Sequence, residues 1–439
     1  MARLIRPRLI NAWLAGLAAI IAGGAAPPSI PVIDAPELAA LGPDQVGFRT
    51  LRLVHPAQPD FSSPDPAAAK ADRTLIIDLW YPASAKVRAR RSAASITYRA
   101  AFWGEPPRPV VSFTVPGIAI AGAAPRGTGH PLVILSHGYS NAPAAMTWLT
   151  ENLASKGYVV AAIHHADPNP YVITAEARAV PNYHRPSDIA FVAGELRARL
   201  GDGIDPANVA LIGYSQGGYG VLTAGGASLD PAGPNMALVP GGWLKKHARG
   251  TAGAAAFTVP GVKAIVALAP AGGSPRSAWG AEGLAALTAP LLLIQGDADP
   301  VVDYQQGALA VFKGAVRANR YLLTYLQAGH SVALNPAPPQ MRGSVWDMDW
   351  FEDPIWRQDR INAINLHFIT AFLEWHLRGR TELSAYLDVP VVSSSQGVWN
   401  APPGTPWGAY SPGGPGVTLW KGFQRRHAQG LELRRASAE

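Results

Sequence analysis

The chain has 439 residues, 48% hydrophobic and 15% charged, enough apolar surface for a large buried core and too much for a disordered polypeptide. Its formal net charge of +7 comes from scattered Lys and Arg, not from a run interleaved with aromatics, which argues against a nucleic-acid partner. The absence of cysteine excludes a lipoprotein anchor and any thiol nucleophile.

The first residues, MARLIRPRLINAWLAGLAAIIAGGAAPP, place Arg3, Arg6 and Arg8 before an apolar stretch from Leu9 to Ala22 and then small residues. That order predicts a secretory signal peptide over residues 1–25, cut near Ala25, and hence a periplasmic or secreted protein. The apolar stretch is short for a stable membrane span, and the segment lacks the paired arginines of a twin-arginine signal. Residues 26–45 are rich in Pro and Ala and predict a linker or extended arm.

From residue 46 to 380 apolar runs alternate with helical patterns. VGFRTLRLVH and RTLIIDLWYP predict two neighbouring strands, and PLVILSHG predicts a strand buried on both faces of a parallel sheet. A helix up to Lys156 stops at Gly157, and a strand follows from Tyr158 to Ile163. A helix over Ser187–Leu200 precedes a strand over Val209–Ile212, and GVKAIVALAP, APLLLIQGDADP and NRYLLTYLQAGH each predict a strand ending in loop residues. Ile361, Ile364, Phe368, Phe372 and Trp375 share one face of a last helix over Asp359–Arg378. The alternation predicts an α/β fold: a doubly wound, mostly parallel sheet with helices on both faces and reactive groups at the carboxyl ends of its strands. Residues 225–260 and 331–359 fall outside the alternation and predict lid-like insertions. Residues 381–439 are rich in Gly and Pro and predict an irregular extension packed on the domain, with the basic stretch LWKGFQRRHAQGLELRR as a solvated face.

The chemistry centres on VALIGYSQGGYG. A serine hydroxyl needs a base to become nucleophilic, and a sharp strand-to-helix turn exposes it only where flanking residues lack a Cβ. Gly213 and Gly217 flank Ser215 after an apolar strand and before a helix-compatible stretch, so Ser215 is the candidate nucleophile. In such a fold the acid and base follow in the order Ser, Asp, His. Asp299 follows a buried strand, with Asp297 two residues earlier and Asp303 four later as alternatives; the position of Asp299 in the loop after Gly296 favours it, with Asp297 as a turn-stabilising residue. His330 ends the next strand and is the candidate general base, its tautomer held by Asp299. The backbone N–H of Gln216 is one expected oxyanion donor and that of Tyr139, in SHGYSN, the second, with His137 fixing the loop. Trp346 and Trp350 are candidates for the wall of a substrate pocket. His164, His165 and Asp167 cluster after a strand, but adjacent histidines diverge and no further ligands join them, so no metal is expected; His165 and Asp167 are candidate supports for the site loops. Without a Walker loop or a Gly-x-Gly-x-x-Gly helix start, no nucleotide cofactor is expected either.

With these residues in view, the chain resembles the serine-hydrolase branch of the α/β-hydrolase superfamily, in particular bacterial relatives of platelet-activating-factor acetylhydrolase often described as predicted dienelactone hydrolases. The pieces that carry the resemblance are DLWYPA, SHGYSN, LASKGYVVAAIHHAD, RPSDIAFV, GYSQGG, GDADPVV and AGH. It implies a triad of Ser215, Asp299 and His330 and an oxyanion hole from Tyr139 and Gln216. The family often has His-Arg-Asp where this chain has His165-Ala166-Asp167, and Gly-His-Ser-Phe-Gly where it has Tyr214 and Gln216. Dienelactone hydrolases proper use a cysteine nucleophile, which this chain lacks. The expected activity is hydrolysis of a small-molecule or lipid-like carboxylic ester through an acyl-enzyme, with no metal or cofactor. Lactonase, thioesterase, phospholipid or acetyl ester hydrolase and peptidase activities share the same triad, and the oligomeric state is left open.

Overall fold

In the computed structural model the described residues are 36–84, 95–103, 110–169, 171, 175–273, 277–406, 409, 413–425 and 427–439. The expected signal peptide and residues 26–35 of the expected arm lie outside them.

Five strands precede the first helix-linked unit: β1 (Gln45–Pro59), β2 (Lys70–Ala83), β3 (Thr97–Trp103), β4 (Val110–Pro116) and β5 (Ile120–Ala121). The alternation follows as β6 (His130–Ser136), α1 (Thr147–Ser155), β7 (Val159–His164), α2 (Ala175–Arg199), β8 (Ile204–Tyr214), α3 (Gln216–Ala224) and β9 (Val262–Leu268). Then come α4 (Gly280–Ala285), β10 (Leu291–Gly296), α5 (Ala308–Gly314), β11 (Arg320–Tyr325), α6 (Val345–Asp349), α7 (Gln358–Arg378) and β12 (Leu431–Ala436).

Ten strands form one sheet in the order β12-β11-β10-β9-β8-β6-β7-β2-β1-β5, and β3 pairs with β4 in a separate hairpin. The six strands from β11 to β7 are mutually parallel, while β2 runs antiparallel to β7 and β1 antiparallel to β2. Leu132, Val133, Ile134 and Leu135 of β6 are wholly buried, as an unbroken apolar run requires when helices cover both faces. Alternate side chains feed two cores. Val133 and Leu135 pack with Leu149 of α1 and Phe368 and Phe372 of α7, whereas Leu132 and Ile134 pack with Ile189, Val192 and Leu196 of α2 and Leu222 of α3. The register pairs Ser136 with Gly213, Tyr214 with Leu268 and Gly296 with Tyr325, so these carboxyl ends open onto one edge.

The structure departs from the sequence expectation in four places. The tail does not stay irregular: β12 pairs antiparallel with β11 and buries Leu431 and Leu433, so the basic stretch is only in part a solvated face. The helix expected from Ser187 begins at Ala175 and runs through Pro181 and Pro186, residues that usually mark a helix boundary. The β3–β4 hairpin is an addition, seated on α1 by a buried polar chain in which the Trp80 indole N–H donates to the Tyr98 hydroxyl at 2.7 Å and that hydroxyl donates to Glu151 at 2.7 Å. Glu151 also accepts the Ile118 and Ala119 N–H groups. The two insertions are packed as well: Met236, Leu244 and Phe257 enter one core, Met341 and Phe351 the other.

Because the Tyr98 hydroxyl both accepts and donates in a dry site, Tyr98→Phe leaves the Trp80 N–H without an acceptor and takes one of three donors from Glu151, and it should lower unfolding free energy by about 1–3 kcal/mol in a denaturant titration. His367, fully buried beneath Leu38, accepts the Leu38 N–H at 3.2 Å, and burial pushes its pKa down from 6.5 to about 3. The unfolded chain therefore takes up a proton near pH 6.5 that the folded ring refuses, so this ring's stabilisation is full above pH 6.5 and is lost as pH falls toward 3. Compared with His367→Asn, the wild-type chain should lose about 1.4 kcal/mol more per pH unit below pH 6, and parallel profiles would show that the buried ring is charged.

Candidate active site

The strand β8 ends at Tyr214 and α3 begins at Gln216, so Ser215 alone makes the turn, with φ 54° and ψ −117°. A non-glycine residue held in such a region stores about 1–3 kcal/mol of strain and persists only where its surroundings over-determine it. Here the Ser215 N–H donates to the Leu268 carbonyl at 2.9 Å and the Ala271 N–H donates to the Ser215 carbonyl at 2.9 Å. A Cβ on Gly217 would sit 2.0 Å from the Ser136 carbonyl oxygen, and one on Gly213 would sit 2.2 Å from the Gly217 carbonyl oxygen. Glycine at both positions lets α3 start against the end of β6, and Ser215 stays half-buried at the strand edge.

The loops after β10 and β11 bring the other two residues to it. His330 Nε2 lies 3.0 Å from Ser215 Oγ, and His330 Nδ1 lies 2.7 Å from Asp299 Oδ2. Asp299 accepts the N–H groups of Val301 and Val302 on its other oxygen, and the Gln295 amide at 3.1 Å on the oxygen that faces His330. These donors fix the orientation of the carboxylate. Asp297 instead accepts the Gln327 N–H, and Asp303 caps its own loop through the Gln306 N–H, so neither faces the imidazole. Around His330, Asp353 accepts the Gly329 N–H at 2.6 Å and the Tyr214 hydroxyl donates to the His330 carbonyl at 3.1 Å. Gln295, Asp353 and Tyr214 support the site without a motif of their own in the sequence. Asp353 followed by Pro354 was the available turn signal, and nothing marked Gln295 within its apolar strand.

Gln216 opens α3, so its N–H is one of the first backbone donors of a helix, which have no intrahelical partner. Across from it, Gly138 lies close enough that an added Cβ would be 3.5 Å from Ser215 Cβ, which sets Tyr139 in the loop beside the serine. The first turns of α2 wall this side: the Tyr139 hydroxyl donates to the Ala177 carbonyl at 3.0 Å, and the Gln216 amide donates to Asn182 at 3.1 Å. A cleft of about 390 Å³ runs from Ser140, Asn141 and Ala142 to Arg99 and Trp103 of the hairpin. Trp350 packs edge-on against Phe102, and its carbonyl accepts the Ser331 hydroxyl next to His330. Trp346 is 64% exposed, so it does not share that packing.

His164, His165 and Asp167 go to three different partners. His164 pairs with Asp78 at 2.7 Å, His165 with Asp188 at 2.9 Å, and Asp167 with Arg185. Among the described residues no group of three or more His, Asp and Glu side chains is arranged to hold a metal ion. Burial and the nearby Arg185 hold His137 and His165 well below the usual histidine range, so both rings are neutral. With its Nδ1–H on Asp188, His165 accepts the Ser136 hydroxyl on Nε2 at 2.9 Å. Ser136, His165 and Asp188 thus repeat the connectivity of the site above, but they are at most 1% exposed and Arg73 forks onto Asp188. This second line is a strut beneath the loop, out of reach of any substrate. Arg185 and Asp188 are three residues apart on α2, a spacing that places both on one face and that RPSD displayed in the sequence.

The family described as platelet-activating factor acetylhydrolase, isoform II, matches residues 108–197, which include β6, α1, β7 and all but the last two residues of α2. No curated protein matches the chain. Among solved structures, a ferulic acid esterase from Streptomyces cinnamoneus aligns with 21% identity and a TM-score of 0.48, covering 79% of this chain and 94% of that one. The sheet order and the strand-to-helix turn at Ser215 give the chain an α/β-hydrolase fold, and within it residues 108–197 of the 439 are similar to the platelet-activating factor acetylhydrolase family.

Proposed function

We propose that the chain is an exported carboxylic ester hydrolase that works through an acyl-enzyme on Ser215. The observation that carries this reading is the continuous hydrogen-bonded line from Asp299 through His330 to Ser215, with links of 2.7 and 3.0 Å, ending on a serine held at a strained strand-to-helix turn. In the acylation step His330 Nε2 takes the Ser215 proton as Oγ attacks the ester carbonyl. The Asp299 carboxylate holds the Nδ1–H and stabilises the imidazolium that forms. The oxyanion takes the N–H groups of Tyr139 and Gln216, and such a donor contributes about 2.7–4 kcal/mol to the transition state. His330 then returns the proton to the leaving alcohol as the C–O bond breaks. Water repeats the sequence, giving up its proton to His330, and the acid product leaves with Ser215 restored.

The mechanism calls on side chains and backbone alone. Lactones, thioesters and acetyl or phospholipid esters undergo the same two steps. Export rests on the basic, apolar and small-residue order of residues 1–25.

Stoichiometric labelling with a fluorophosphonate, read by peptide mass spectrometry, should place the label on Ser215, with turnover of p-nitrophenyl esters in the unlabelled sample. Ser215→Ala should remain folded and lose about four to six orders of magnitude in kcat. A folded, unlabelled and inactive wild-type chain would overturn the reading. For export, the protein recovered from the periplasm or medium should begin near residue 26, and full-length protein confined to the cytosol would count against it.

A further inference from the structure

We propose that Arg185 and Asp167 are positioning residues that set the oxyanion hole by holding the Tyr139 peptide group from both sides, an inference that rests on the ester hydrolase reading. Arg185 is a fully buried arginine on α2, and its guanidinium spends its donors on the loop after β6. Nη1 donates to the His137 carbonyl at 2.6 Å, Nη2 donates to the Gly138 carbonyl at 3.1 Å, and Nη2 also meets the Asp167 carboxylate. Asp167 in turn accepts the Ser140 N–H at 2.8 Å. Three consecutive peptide groups are therefore anchored, and the middle one contains the Tyr139 N–H.

The geometry of the peptide unit turns that anchoring into aim. A trans peptide is planar, so its C=O and N–H point in opposite directions. Holding the Gly138 carbonyl against a guanidinium rooted in α2 directs the Tyr139 N–H away from α2, toward the side where Gly138 faces Ser215. The His137 imidazole reinforces this by donating from Nδ1 to the same carbonyl at 2.7 Å. Two donors on one carbonyl also polarise the N–H across the peptide, which strengthens it as a donor in a dry site. Ser140 has φ 56°, so the loop turns back sharply just after the donor, and the Asp167 carboxylate secures that turn. Burying an ion pair is a poor way to gain stability, because well-packed apolar residues usually serve as well or better. What apolar residues cannot supply is a directional hold on two carbonyls and an N–H at once.

The test uses the full mature protein and two conservative variants. Asp167→Asn keeps an acceptor for the Ser140 N–H but loses the charge, and Arg185→Lys keeps the charge but loses the fork. Each is assayed on a p-nitrophenyl ester and on the matching thionoester, whose sulfur fits an oxyanion hole poorly and so gains little from one. Thermal unfolding reports the fold. The expected result is kcat on the oxyester lowered about 10- to 100-fold with KM within about threefold. The preference for oxyester over thionoester should shrink by about fivefold or more, a change that a merely loosened fold does not produce. If Arg185→Lys does not fold, Asp167→Asn decides. Near-normal kcat in the folded variants, or equal losses on both substrates, would overturn the inference while leaving the esterase reading standing. A wild-type chain that hydrolyses neither ester would overturn both.

Discussion

The start of α3 lies closer to the end of β6 than any side chain allows, and much of the site follows from that approach. With the Ser136 carbonyl where a Cβ on Gly217 would have to be, the chain turns at Ser215 in a backbone conformation that serine rarely adopts. The same approach sets the loop after β6 against the serine, so the two expected oxyanion donors come from neighbouring strands and share one small space. The parallel register then does the rest: the carboxyl ends of β10 and β11 deliver Asp299 and His330 to the same edge. The strain at Ser215 is tolerated because hydrogen bonds to Leu268 and from Ala271 hold the turn from both sides.

Beneath this line lies a layer of buried charge. Arg73, Asp188 and His165 brace the end of β6, while Arg185 and Asp167 brace the loop that follows. In a low-dielectric interior such groups are expensive unless each finds its partners, and the hydrogen bonds between them show that most do. The neutral state of His137 and His165 belongs to the same arrangement, since burial disfavours a charged ring and Arg185 already supplies positive charge beside both. A rigid underside of this kind lets a surface loop carry backbone donors at fixed positions, which loops seldom manage on their own.

Much of this was legible in the sequence because the informative residues stand at the ends of apolar runs. Ser215, Asp299 and His330 each follow a strand whose Val, Leu and Ile residues announce it, and the fold brings the three within hydrogen-bonding distance. The supports were harder to see. Gln295 is hidden inside such a run, and Asp353 sits in an insertion with no periodic pattern. Arg185 and Asp188 lay in a segment interrupted by two prolines, which concealed the first turns of α2. The hairpin of β3 and β4 has no helix between its strands to set a rhythm, and the Gly- and Pro-rich composition of the tail hides β12. Trp346 is the opposite case: its aromatic character suggests a pocket wall, and the fold leaves the ring largely in solvent.

The strand β12 carries a consequence for how the chain is made. It covers the outer edge of β11, pairing Arg320 with Ala436 and Tyr325 with Leu431, yet it is reached only after α6, α7 and a long irregular segment. During vectorial synthesis the edge of β11 therefore stays open while everything between the two strands emerges, and an uncovered edge is a template for pairing with another chain. A long sequence separation also makes this pairing slow to form. The last strand to join the sheet is thus the one that closes its open side next to the strand from which the His330 loop departs.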